Sequence, residues 1–152
     1  MAQARDSVWG DRVPPGPGEA VVAEFAPDRM AYLRGHLVLA VLAGLAAGLV
    51  LVAMGNPFPW AGPVATLIAV TARAAFLYSE AMAGHWVLTR TRLLGPGGRV
   101  VALNQIRAIR PFFGDVMIAA ATGDKHLMKY MPHPATVIAA IDRQRAQSGA
   151  QA

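Results

Sequence analysis

An uncharged run from Leu37 to Met54 constrains this chain more than any other feature. Every residue in it is Leu, Val, Ala, Gly or Met. As an α-helix, the run would span about 27 Å, close to the thickness of a hydrocarbon core. The alternatives are a buried core helix and a cleavable signal peptide. The run begins far from the N-terminus and is too long for a usual signal core, so we predict a transmembrane helix over 37–54.

A second apolar segment, over 58–78, is interrupted only by Arg73. An Arg near the end of a span can extend its guanidinium group to the headgroups, so it marks an interface and does not forbid insertion. The link Gly55-Asn56-Pro57 is short, uncharged and turn-forming. The two segments are therefore predicted to form a transmembrane helical hairpin.

Basic residues flank the outer ends of this predicted hairpin, whereas its link carries none. Arg29 and Arg34 precede the first segment, and Arg73, Arg90 and Arg92 lie at or after the end of the second. Cytoplasmic loops are enriched in Lys and Arg. The pattern predicts a multi-pass protein with both termini in the cytoplasm.

Small residues repeat at four-residue spacing in both segments, which places each set on one helix face. Such faces let two helix backbones approach closely. We predict that they pack against each other within the chain, although the Gly44 and Gly48 pair also fits a helix dimer. The candidate packing residues are Ala40, Gly44 and Gly48 in the first helix and Ala61, Ala65 and Ala69 in the second.

The charge of the chain is concentrated after the helices. The formal net charge is +5, and residues 79–152 hold nine Lys or Arg against four Asp or Glu. A basic surface beside a bilayer can dock on anionic headgroups or on a protein partner, but the positive-inside rule alone would enrich the same residues. Both interpretations stay open for the candidate contacts Arg90, Arg92, Arg107, Arg110, Lys125 and Lys129.

The pattern after residue 79 changes to short extended segments separated by turn residues. Trp86–Thr89 and Arg92–Leu94 resemble strands, Gly95–Gly98 is a turn cluster, and Gly123 marks a hairpin. Pro134 opens a short amphipathic helix. We predict about five antiparallel strands closed by one helix over 79–147, with a lead-in at 19–36 and flexible tails at 1–18 and 148–152.

The order of these motifs resembles bacterial pleckstrin-homology-like (PH-like) membrane proteins. The motifs are Trp86-Val87-Leu88-Thr89, Arg92-Leu93-Leu94, Val101-Ala102-Leu103, the Gly123 hairpin and the Pro134 helix. The resemblance implies a transmembrane helical hairpin plus a small α+β domain, an antiparallel β half-barrel capped by a C-terminal helix. It also implies that the protein lies in a bacterial inner membrane. Proteins of this family are self-associating or scaffold-like more often than they recognise a specific lipid.

No catalytic, cofactor or metal site is predicted. The chain has no Cys, which excludes disulfides and thiolate chemistry. Its histidines form no HExxH pair, its serines lie in no GxSxG elbow, and Gly95–Gly98 lacks the Lys of a phosphate loop. The candidate ligands, none of which lies at a recognised metal spacing, are His36, His85, His126 and His133 with Glu80, Asp115 and Asp124.

Two functional hypotheses follow from the sequence. The first is a noncatalytic, membrane-tethered interaction or scaffolding module that engages anionic lipid, a membrane protein or a second copy of itself. The second is an accessory or assembly subunit of a larger membrane complex, in which the small-residue faces bind a partner. Nucleic acid is not an expected partner, because no RNP-type aromatic motif accompanies the basic residues.

Overall fold

A computed structural model of the protein describes residues 13–150, which fall into two compact units. The helical unit is Arg29–Ser79. The globular unit joins the residues before it to those after it, 1–28 and 80–152, of which 13–28 and 80–150 are described. The helical unit is therefore an insertion in the globular one.

The helical unit contains two long apolar helices, α1 (Arg29–Ala53) and α2 (Ala61–Met82). Both are long and apolar enough to cross a membrane. A core helix of a soluble protein buries most of its surface, but only 11% of the apolar window of α1 and none of that of α2 is buried. The predicted helical pair is confirmed at this level.

The helix ends differ from those predicted from hydropathy. Helix α1 begins at Arg29 and not at Leu37, because polar residues outside an apolar run can continue the same helix. Helix α2 begins at Ala61 and not at Phe58, after a turn in which Asn56 Oδ1 accepts the Phe58 N–H at 2.8 Å. Pro63 lies in its first turn, where a missing N–H is tolerated.

The globular unit contains two antiparallel sheets and one C-terminal helix. The first sheet has the order β1-β2-β3-β4, with β1 Val21–Phe25, β2 Trp86–Thr89, β3 Arg92–Leu94 and β4 Val100–Ala102. The second has the order β5-β6-β7, with β5 Ile106–Phe112, β6 Asp115–Ala120 and β7 Lys125–Met128. A 3-10 turn, Leu103–Gln105, joins the sheets, and α3 (Pro134–Ala150) follows. The predicted α+β architecture is confirmed at this coarse level.

Strand β1 lies in the segment that we predicted only as a lead-in, 19–36. It pairs with β2 on the other side of the inserted helices, and Phe25 lies opposite Trp86. The chain thus leaves and re-enters the globular unit at neighbouring points. We call this end, where Phe25 pairs with Trp86, the entry end, and the opposite end, where Val21 pairs with Thr89, the far end.

The core of the globular unit lies between the sheets and α3. Trp86, Leu88 and Leu93 contribute from the first sheet, and Val116 and Ile118 from the second. Helix α3 adds the buried faces of Val137 and Ile141. Alternating burial along β6 gives one face to this core.

Helix α3 continues to Ala150, beyond the predicted boundary at residue 147. Ser148 Oγ donates to the Arg90 carbonyl at 2.6 Å, which attaches the last turn of the helix to the β2–β3 connection. Residues 151–152 of the predicted C-terminal tail and 1–12 of the predicted N-terminal tail lie outside the described residues.

Candidate functional site

The six basic residues predicted as contacts lie at different places on the globular unit. Arg110 and Lys129 are exposed and close to the entry end, because β5 finishes and β7 leads out there. Arg90, Arg107 and Lys125 are exposed at the far end. The six therefore do not form one continuous basic surface.

Arg92 is held in an ion pair by a residue that the sequence did not single out. The Glu19 carboxylate, just before β1, accepts hydrogen bonds from Arg92 Nε at 3.0 Å, from Arg92 Nη2 and from the Gly16 N–H at 2.8 Å. The side chains are 13% exposed for Glu19 and 35% for Arg92. Arg92 thus attaches the segment before β1 to β3, and we call this cluster of Gly16, Glu19 and Arg92 the joint.

Thr89 completes this joint. Its fully buried hydroxyl donates to Glu19 Oε1 at 2.6 Å and accepts the Arg92 N–H at 3.0 Å. The hydrogen bonds from Arg92, then Thr89 and Gly16, hold the pKa of Glu19 well below its usual range. The same carboxylate raises the pKa of Arg92. The cluster attaches the segment before β1 to β2 and β3.

At the entry end, the β5–β6 hairpin closes through a two-residue turn, Phe113-Gly114. Phe112 and Asp115 form the closing pair. Both turn residues have positive φ, 48° for Phe113 and 91° for Gly114, as a type I′ turn requires. Phe113 is 97% exposed and Phe112 45% exposed. Their rings meet edge to face with centroids 5.0 Å apart.

Hydrogen bonds connect this hairpin to the residue that precedes α1. The Asp28 N–H donates to the Tyr130 carbonyl at 2.8 Å, and the Tyr130 N–H donates to Asp115 Oδ1 at 2.7 Å. Burial raises the pKa of the Asp115 carboxyl, against the opposing effects of the Tyr130 N–H and the Lys129 charge. Two hydrogen bonds, through Tyr130, therefore connect the base of the Phe113-Gly114 turn to Asp28, the residue before α1.

Within residues 13–150, no group of three or more His, Cys, Asp or Glu is arranged to hold a metal ion. In the helical unit, the His36 ring lies against the Tyr32 ring, with centroids 4.2 Å apart. His36 Nδ1 is 3.0 Å from the Tyr32 carbonyl oxygen.

Two small residues of α1, Gly44 and Gly48, lie close to α2. Gly44 is buried, and a Cβ built there would lie 3.5 Å from the Cα of Pro63. A Cβ at Gly48 would lie 3.3 Å from Pro63 Cγ. Ala40 is half-buried. The helices are in close contact along this face.

On α2, the face that meets α1 is offset from the predicted one. Gly62 approaches the backbone of Ala47, and a Cβ there would lie 2.9 Å from the Ala47 carbonyl carbon. Further along, Tyr32 Oη donates to the Ala74 carbonyl at 2.7 Å. The predicted residues Ala61, Ala65 and Ala69 are all exposed, and Ala65 lines a shallow apolar groove between the helices.

The chain was compared with protein-family models, with curated proteins and with solved structures, and none of them matches. The resemblance to PH-like membrane proteins therefore rests on the sequence motifs. The candidate surface that the geometry defines is the entry end of the globular unit, with its exposed aromatic pair and the basic residues Arg110 and Lys129.

Proposed function

We propose that the protein is a noncatalytic interaction or scaffolding module, tethered by α1 and α2 to the cytoplasmic face of a bacterial inner membrane. One observation carries the proposal: paired strands β1 and β2 flank the two apolar helices in sequence. The same globular unit contains the residues that precede α1 and the residues that follow α2 in sequence. The tether is therefore part of the fold and not an appendage to it.

The pairing of β1 with β2 supports the predicted topology. Because Phe25 lies opposite Trp86, the chain leaves the globular unit toward α1 and returns to it from α2 at the same end of that unit. Both must then lie on the same side of a membrane that the helices cross twice. The basic residues near the outer ends favour the cytoplasmic side, and the uncharged link at 55–57 favours the opposite side.

The architecture also supports a PH-like half-barrel. The two antiparallel sheets and the C-terminal helix α3 are the elements that the resemblance implies. A domain of this kind, held at a membrane surface, experiences a high effective concentration of membrane partners, so weak contacts suffice. Exposed basic residues near anionic lipid contribute about 1 kcal/mol each. Homo-oligomerisation is expected from the same resemblance.

The test is purification of the tagged full-length protein from its native membrane in a mild detergent. Mass spectrometry identifies copurifying proteins and lipids, and light scattering gives the mass of the particle. A homo-oligomer with bulk lipid, or a substoichiometric set of partners, supports the tethered module. A soluble protein recovered without membrane would contradict the proposal.

A second candidate function is that of an accessory or assembly subunit of a larger membrane complex. The exposed positions of Ala61, Ala65 and Ala69 favour it, because exposed small residues at four-residue spacing on α2 are available to another helix. Ala65→Leu should then abolish copurification of a stoichiometric partner. Thr71→Leu, an exposed position on another face of α2, is the matched control. Equal retention of the partner in both variants would reject this candidate.

A further inference from the structure

Phe113 occupies a position that the stability of the fold does not explain. In two-residue hairpins of this type the first turn residue has positive φ, which favours Asn, Asp or Gly and disfavours an aromatic side chain. Phe113 nevertheless adopts φ 48° there, with a ring that is 97% exposed. Its backbone conformation is unfavourable for an aromatic residue, and its exposed ring adds no apolar burial, so Phe113 does not stabilise the globular unit. The aromatic pair Phe112 and Phe113, which we call the aromatic tip, therefore calls for an external contact.

The aromatic tip lies beside the place where the chain enters the helices. Asp115, at the base of the turn, is bonded to Tyr130, and Tyr130 is bonded to Asp28. Helix α1 begins at the next residue, Arg29. If α1 crosses the membrane from this point, the tip is at the level of the headgroups, where aromatic side chains are most stable.

The surroundings of the aromatic tip match a lipid interface. Arg110 lies two residues before Phe112 on β5 and so shares its face of the sheet, and Lys129 leads out of β7 at the same end. Both cations are exposed. Aromatic rings with flanking Arg and Lys are the combination that settles at an anionic headgroup layer.

The other hairpin of the same sheet provides an internal comparison. The β6–β7 connection, at the far end, carries Thr122, Gly123 and Asp124, all exposed. It is polar, as a solvated turn usually is. Of these two hairpin turns, the aromatic one lies at the entry end, where the chain leads from Asp28 into α1.

We propose that the aromatic tip inserts into the headgroup region of the membrane that α1 and α2 span, with Arg110 and Lys129 contacting anionic lipid. The inference rests on the proposed membrane tether. A second copy of the chain is a poorer occupant, because two tips facing each other would bring like charges together. Insertion adds a third attachment beside the two helix connections, and it directs the far end away from the bilayer.

Because the chain has no Cys, single labels can be introduced to test this. An environment-sensitive fluorophore at Pro111→Cys reports on the tip with both phenylalanines present, and Pro111 is exposed and has no N–H to lose. The same label at Thr122→Cys is the control. Full-length protein is placed in nanodiscs of phosphatidylcholine and phosphatidylglycerol, one copy per disc.

The proposal predicts a blue shift at position 111, with quenching by lipid-borne quenchers and protection from aqueous iodide. Position 122 should show none of these effects. Adding Phe112→Ser and Phe113→Asn should abolish the protection at 111 while the protein stays in the disc, because the helices still hold it. Retention in the disc separates failure of insertion from failure of the tether.

Two results would overturn the inference. In the first, iodide quenches the label at 111 as strongly as the label at 122. In the second, protection at 111 is seen only with several copies per disc, which would assign the tip to contact between copies.

Discussion

Replacement of Gly95 by Ala should destabilise the globular unit through a single steric clash. A Cβ built at Gly95 would lie 2.5, 2.7 and 2.8 Å from three carbons of the Trp86 six-membered ring. Trp86 is only 1% exposed and belongs to the core, so its ring cannot move into solvent without losing burial. Either the ring or the β3–β4 turn must shift.

The expected loss is about 2–3 kcal/mol, in the upper part of the range for overpacked cores. For a unit of this size, that loss corresponds to a fall in melting temperature of roughly 10–20 °C. The assay is thermal unfolding of the full-length protein in detergent, followed by near-ultraviolet circular dichroism. Gly149→Ala is the control, because nothing lies within 4 Å of its Cβ. A melting temperature of Gly95→Ala equal to that of the control would refute the reasoning.

Three further predictions concern the joint, the turn and the helical pair. Glu19→Gln should destabilise the globular unit above about pH 5, where Glu19 is ionised in both the folded and the unfolded chain. Because the pKa of Glu19 is depressed in the folded protein, the unfolded chain binds a proton first as the pH falls, so the difference from the native protein should shrink at lower pH. Denaturation across pH 3–7 measures this. Phe113→Asn should stabilise the unit by about 0.5–1 kcal/mol in denaturation, because Asn tolerates positive φ. Gly48→Leu should separate the helices, because even a Cβ there lies 3.3 Å from Pro63, and should abolish a cysteine crosslink between them.

Each of these three has an outcome that would contradict it. A constant stability difference between Glu19→Gln and the native protein at every pH would exclude the charge of Glu19 as the cause. A less stable Phe113→Asn protein would mean that the phenylalanine supports the fold. For the helical pair, Gly35→Leu is the control, since nothing lies within 4 Å of a Cβ at Gly35. Equal crosslinking in both leucine variants would disprove the close contact.

Local composition and spacing sufficed to predict the features that depend on neighbouring residues. The uncharged run before Gly55 identified α1, and Pro134 identified the start of α3. Strand β1 was not predicted as a strand, because its partner β2 lies on the other side of two long helices. The Glu19–Arg92 ion pair is not predictable from local sequence either, because its two residues also lie on opposite sides of the two helices in the chain.

Two other features depend on geometry that spacing does not determine. The four-residue repeat of Ala61, Ala65 and Ala69 defines a helix face, but it does not say whether that face meets α1 or the exterior. In the structure, Gly62 and Pro63 are the residues of α2 that come close to the glycines and alanine of α1. The exposure of both phenylalanine rings follows from the two-residue register of the β5–β6 hairpin, which the local sequence alone does not determine.

Site-directed cysteine accessibility tests the central claim most directly, namely that α1 and α2 cross the membrane and return to one folded unit. Three exposed positions are replaced singly in the Cys-free chain: Ala20 before β1, Pro57 between the helices, and Thr122 in the β6–β7 connection. An impermeant maleimide is added to intact right-side-out vesicles. The account predicts labelling at 57 alone, with 20 and 122 labelled only after permeabilisation. Labelling of all three positions from one side would contradict it.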